Sequence, residues 1–166
     1  GGEDETGWVE QGKTDIILDN LIAEGRAKPM IVVIANGNIR TGSGGYSSEG
    51  MTGFKKEMTQ TIVPFIDDNY RTLTDAKNRA ICGLSMGGGQ SFYVGLESLQ
   101  YFGSVGIFSS GIFGGIRNPS GSIFNAEKEI PGLLSRSGEF NKKLHLFYIS
   151  CGDGDMRIEY TKKAVA

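Results

Sequence analysis

The stretch Ile81-Cys82-Gly83-Leu84-Ser85-Met86-Gly87-Gly88-Gly89 decides how this chain is read. It runs as a short apolar strand, a sharp turn and the start of a helix. Serine stands at the apex, in a G-x-S-x-G frame. A hydroxyl that must project from the backbone needs a strained turn beneath it. Gly83 and Gly87 lie two residues to either side, where a side chain would crowd that turn. The following helix aims its N-terminus at the same point, which favours a developing negative charge. The frame alone is a weak signal, because the chain has 26 Gly in 166 residues. A glycine-rich strand-to-helix turn without chemistry fits it as well. The flanks add weight: Arg79-Ala80-Ile81-Cys82 is a short apolar strand, and residues 90–96 form a helix-like run.

Outward from this centre, strands and helices alternate. Thr14 caps a helix through Ala23, with Gly25 as its stop. Residues 29–35, Pro-Met-Ile-Val-Val-Ile-Ala, are a continuous apolar run that suits a strand buried on both faces. Asn36 to Gly50 is rich in Gly, Ser and Asn and reads as a loop. A helix spans Phe54 to Tyr70, kinked or split by Pro64. Residues 104–108 and 144–150 are further strands, and Arg157 to Ala166 begins a last helix; 112–141 are less regular. The alternation predicts an α/β fold with a parallel, doubly wound sheet. Length, the absence of repeats and the absence of a linker predict a single domain over residues 1–166. Ligands of such sheets bind at the carboxyl ends of the strands. Loops 36–38, 83–86, 109–111 and 151–155 should therefore gather on one edge.

Bulk properties exclude some functions. The formal net charge of -2 offers nothing to nucleic acid or to an anionic membrane. No apolar run approaches the roughly 20 residues that cross a bilayer. The chain opens on Gly1 rather than Met, so it reads as a fragment or a processed product, and a missing signal segment says little about compartment. Cys82 and Cys151 each close an apolar strand. They read as two small buried thiols, with a disulfide as the alternative, and neither has metal-ligand spacing.

A serine nucleophile needs a base, usually histidine, and a carboxylate to hold that base. The G-x-S-x-G turn is the nucleophile elbow of α/β-hydrolases, whose triad runs Ser, then Asp or Glu, then His. Asp153 and Asp155 lie downstream of Ser85, just past a strand, where the acid belongs. Asp-Gly-Asp is also a good turn sequence, so one aspartate can serve the turn or cap the next helix. His145 is the single histidine. It sits near the start of its strand, roughly 15–20 Å from the catalytic end, and reads as structural.

Several segments together resemble carbohydrate esterase family 1, the esterase D-like group that includes bacterial feruloyl esterases. Residues 1–8, Gly-Gly-Glu-Asp-Glu-Thr-Gly-Trp, resemble the end of that family's His-Gly-x-Gly-Gly loop and its tryptophan. Residues 18–25 with 28–33 resemble the next helix and strand, and 65–71 the helix before the elbow. Gly83-Leu84-Ser85-Met86-Gly87-Gly88 is similar to the family elbow. Cys151-Gly152-Asp153-Gly154-Asp155 is similar to its Cys-Gly-x-x-Asp acid loop.

The resemblance implies an α/β-hydrolase, truncated at both ends: a mostly parallel sheet with helices on both faces, incomplete. It implies Ser85 as nucleophile and Asp155 as triad acid, with an oxyanion hole from the Met86 N–H and one from Gly2. It implies a serine esterase without cofactor or metal. The implied substrates are feruloylated or acetylated cell-wall polysaccharide or a small ester, and the implied location is secreted or periplasmic. Relatives acting on formylglutathione or siderophore esters, or a non-catalytic glycan-binding module, are the alternatives. The family's first strands, its His-Gly and its histidine segment have no counterpart here. The catalytic histidine is accordingly expected beyond Ala166, and residues 1–166 alone are expected to lack turnover.

Overall fold

A computed structural model describes residues 4–39, 47–110 and 125–165. The chain divides into two compact units, Gly1–Asn38 and Ile39–Ala166.

The first unit holds a short helix α1 (Gly7–Glu10) and α2 (Thr14–Ala23). Thr14 is the first residue of α2 rather than its cap. Its hydroxyl donates to the Trp8 carbonyl at 2.7 Å, and the joint is made by Lys13 at φ 52. Gly25, at φ +68, ends the helix as its sequence position suggests. The Asn36 amide donates to Glu5 at 2.8 Å and ties the end of the unit to its beginning. The strand expected over residues 29–35 does not form, and Met30 to Val33 are 45–54% exposed. Apolar composition sets a tendency to be buried. A strand also needs a neighbouring backbone to pair with, and residues 4–38 contain no other strand. The loop at 36–38 therefore follows no strand.

The second unit opens with α3 (Ser48–Glu57), capped by the Ser47 hydroxyl, which accepts from the Gly50 N–H at 2.9 Å. A π-helical turn over Met58–Ile62 leads into α4 (Val63–Asn69). The expected single helix is thus split just before Pro64, which has no N–H to donate and crowds the preceding turn. Its true start lies in the stretch read as loop, where glycine and serine masked a capping signal.

Three parallel strands follow: β1 (Ala80–Leu84), β2 (Ser104–Phe108) and β3 (Leu146–Ser150), in the order β1-β2-β3. Between β1 and β2 runs α5 (Met86–Glu97). Its side chains Phe92, Val94 and Leu96 are buried, as are Ile81, Val105 and Ile107 on the sheet, so the core lies between them. Phe147 joins from β3, its ring 6.4 Å from Phe92. On its outer side α5 meets α3, where Lys55 Nζ lies 2.6 Å from Glu97 Oε2. The opposite sheet face carries Leu84, Leu146 and Tyr148, 49–55% exposed. Helices α6 (Ala126–Glu129) and α7 (Ser137–Lys143) precede β3, and α8 (Ile158–Val165) follows it.

Arg79 anchors the start of β1. Its guanidinium takes both Asp67 oxygens, at 2.8 and 3.1 Å, and its other nitrogen donates to the Tyr101 carbonyl at 3.0 Å. This fork fixes α4 to the entry of the elbow strand. The three parallel strands with their intervening helices are the α/β fold with a parallel sheet that the alternation predicts.

Cys82 is exposed and Cys151 half-buried, and both are free thiols, which corrects the reading of two buried cysteines. The alternation of β1 turns Cys82 away from α5, onto the exposed face. No disulfide joins them because β1 and β3 flank β2, roughly 10 Å apart.

Candidate active site

The strand register sets the site. Leu84 is level with Phe108, and Phe108 with Ser150. The next residues, Ser85, Ser109 and Cys151, therefore begin the three carboxyl-end loops side by side. Two further bonds continue the ladder past the strands. The Ser85 N–H donates to the Phe108 carbonyl at 2.9 Å, and the Ser109 N–H to the Ser150 carbonyl at 2.8 Å.

Ser85 occupies the elbow at φ 56, ψ -113. A non-glycine residue with positive φ is strained, and such strain gathers at functional sites. Gly83 makes the turn possible. A Cβ there would lie 2.3 Å from the Gly87 backbone carbon and oxygen. The second glycine of the frame has a different standing: a Cβ on Gly87 would meet nothing within 4 Å among the described residues. The close approach falls instead on Gly88, whose Cβ would lie 2.9 Å from Ser110 Cβ and 3.0 Å from the Gly83 oxygen. Gly88 thus lets α5 start hard against the ends of β1 and β2. Gly83→Ala is expected to destabilise the protein by about 3 kcal/mol or more, since neither backbone can yield. An unfolding free energy, from urea denaturation, lowered by less than about 0.5 kcal/mol would show that the elbow relaxes.

Met86 is buried at the first position of α5. Its N–H is one of the first-turn donors that a helix leaves without an intrahelical partner. Gly2, the other oxyanion candidate, lies outside the described residues. Four aromatics in or beside loop-like sequence, Trp8, Tyr46, Phe113 and Phe124, are candidates to line an acyl pocket, and Tyr46, Phe113 and Phe124 likewise lie outside the described residues. The fourth, Trp8, sits on α1, 38% exposed.

The acid loop separates the two aspartates. Asp153 and Gly154 form the centre of a turn closed by the Asp155 N–H on the Gly152 carbonyl at 3.0 Å, and Asp153 is exposed. Asp155 is inward, its side chain 17% exposed. Its Oδ1 accepts from the Arg157 N–H at 2.9 Å and from Arg157 Nη1 at 3.2 Å. Its carbonyl receives the Ile158 N–H at 3.0 Å. Asp155 therefore heads the turn that leads into α8, so the helix-start bonds fall on the residue that the sequence marks as candidate acid. The Arg157 backbone N–H, then the Ser109 side chain and the Arg157 guanidinium, hold its carboxyl below the usual carboxylate range, against the opposing effect of burial.

Ser109 thereby links the second loop to the third. It has positive φ itself, 45°. Neither Ser109 nor Arg157 stood out as a site residue in the sequence. The available signals were Ser109 closing an apolar strand and an arginine two residues after the acid. His145 lies at the far end of the sheet. Its N–H donates to Gly103 at 2.7 Å, just before β2, and β3 carries the chain from there toward the site.

The comparisons with known proteins agree with this architecture. Residues 3–144 match the family model described as "Putative esterase". The chain is 42% identical over 116 residues, 68% of its length, to an endo-1,4-beta-xylanase/feruloyl esterase of Xylanibacter ruminicola. It spans 16% of that protein. Among solved structures, a CE1 ferulic acid esterase from Anaeromyces mucronatus in complex with ferulic acid superposes at TM-score 0.63 with 22% identity, over 98% of this chain and 73% of that one. A structure named FAE superposes at TM-score 0.70 with 25% identity, over 98% and 59%. With an elbow serine at the carboxyl edge of a parallel sheet and a family match over most of its length, this chain belongs to the esterase family.

Proposed function

We propose that the chain is one partial domain of a serine carboxylic-ester hydrolase of the feruloyl or acetyl-xylan type. The observation that carries this reading is the strained Ser85 at the sheet edge where Ser109 and the loop of Asp155 also lie. Ser85 Oγ attacks the ester carbonyl, the alcohol leaves, and water then hydrolyses the acyl-enzyme. The Met86 N–H, at the positive end of α5, receives the oxyanion. Asp155 orients the imidazolium that forms on the base. That base is an imidazole other than His145, which starts its strand at the opposite end. No metal or cofactor enters the reaction.

The polysaccharide substrate and an extracellular location are supported by the X. ruminicola relative, whose name joins xylanase and feruloyl esterase. Among the described residues no helix is long and apolar enough to cross a membrane. A second reading, a glycan-binding module without turnover, is favoured by the placement of His145. Steady-state assays of the gene product that carries this chain decide between them. Hydrolysis of methyl ferulate above that of a p-nitrophenyl acetate control supports the feruloyl reading. Acetate release from acetylated xylan without feruloyl activity moves it to the acetyl-xylan class. Binding to feruloylated xylan with no turnover of any ester establishes the second reading.

A further inference from the structure

We propose that Arg157 is a positioning residue for the acid: its guanidinium and backbone N–H grip one oxygen of Asp155, so that the other is left for the imidazole. The inference rests on the esterase reading above. Both bonds from Arg157 end on Oδ1, at 2.9 and 3.2 Å, and Oδ2 takes neither. The backbone bond is ordinary helix-start geometry and would form with any residue at 157. The side-chain bond is an addition. It draws the guanidinium down until its side chain is 26% exposed, with Nε buried and without a hydrogen-bond partner among the described residues. Burying such a donor is costly, and a helix cap does not require it. The return is orientational. One carboxylate oxygen is pinned from the start of α8 while Ser109 reaches the same carboxyl from the end of β2.

Among the described residues, the groups that act on the Asp155 carboxyl are Ser109 and Arg157; Asp153 and Cys151 are the other ionisable groups of its own loop. Arg157 is thus the cation whose charge the acid feels. Removing that cation raises the pKa of Asp155, whose carboxylate loses an attractive partner, and it also raises that of an imidazolium held on Asp155, which loses a repelling one.

Two arms test the proposal with Arg157→Gln and Arg157→Lys. In the gene product that carries the chain, the Asp155 carboxyl is followed by carbon NMR titration and assigned by its loss in Asp155→Asn. Its midpoint is expected to move up in Arg157→Gln and to stay nearer wild type in Arg157→Lys. In the gene product that carries the chain, Arg157→Gln is expected to lower kcat about ten- to hundredfold, with KM little changed. The acid limb of kcat/KM is expected to move to higher pH. Arg157→Lys keeps the charge but not the fork, and should restore the pH profile more fully than kcat. An Asp155 titration unmoved by Arg157→Gln overturns the grip. A lowered melting temperature with kcat and pH profile unchanged overturns the positioning role and leaves a structural one. If the wild-type gene product turns over no ester, the esterase reading fails, and the positioning role fails with it; the titration still reports on the grip by itself.

Discussion

Ser85→Ala is expected to lower hydrolysis of a model aryl ester by several orders of magnitude in the gene product that carries this chain. The loss should appear in kcat, because the substituted group forms the covalent bond. The variant should still fold. Alanine keeps the Cβ of serine, so the strain at φ 56 is the same in both proteins. Thermal melting therefore separates lost chemistry from a lost elbow. Retention of more than about a tenth of wild-type turnover would remove Ser85 from the nucleophile role. His145→Ala is the matched control. Its backbone pairs with Gly103 at the amino end of the sheet, and that bond survives the substitution. Activity should be largely intact.

The second large effect concerns the acid. Asp155→Asn should lower kcat by up to about four orders of magnitude, and Asp153→Asn by little, because only Asp155 is turned inward and gripped. The reverse order would place the acid at the turn instead. Stability gives an independent reading. The folded-state pKa of Asp155 is depressed below its unfolded value, so its ionised form stabilises the fold. That contribution is fully present above an unfolded pKa of about 3.9 and is lost as pH falls through the folded pKa. The Asp155→Asn variant should thus melt below wild type at neutral pH. The gap should close on acidification below about pH 4. A gap that persists there would mean that the carboxylate charge is not what stabilises α8.

Much of this is local chemistry and therefore legible in a linear sequence. The elbow, β2, β3, α5 and α8 follow from apolar runs, a serine between glycines and short-range capping, all properties of neighbouring residues. The placement of His145 at the wrong end of its strand follows from strand rise alone. Ser85 and Asp155 are both legible as motif positions; the turn sequence divides turn and acid between the two aspartates, whereas the bonds to the start of α8 fall on Asp155. The family likeness was equally readable from the spacing of several short segments.

What depended on tertiary structure was partnership across distance. The apolar run at 29–35 had the composition of a buried strand, but pairing is supplied by another segment's backbone, and residues 4–38 supply none. Cysteine's usual habit predicts a buried Cys82. Its exposure is set by which face of β1 meets α5. The glycine that the helix needs proved to be Gly88, since the contact is with Ser110, more than twenty residues away. Ser109 and Arg157 carried no motif. They enter the candidate site only through the fold: parallel register puts Ser109 beside Ser85, and the turn at 152–155 brings the Asp155 carboxyl to Arg157. Local propensity and spacing act through a few bonds and can be read along the chain. Strand pairing, burial and side-chain grip are sums over residues far apart in sequence, and only the folded arrangement decides them.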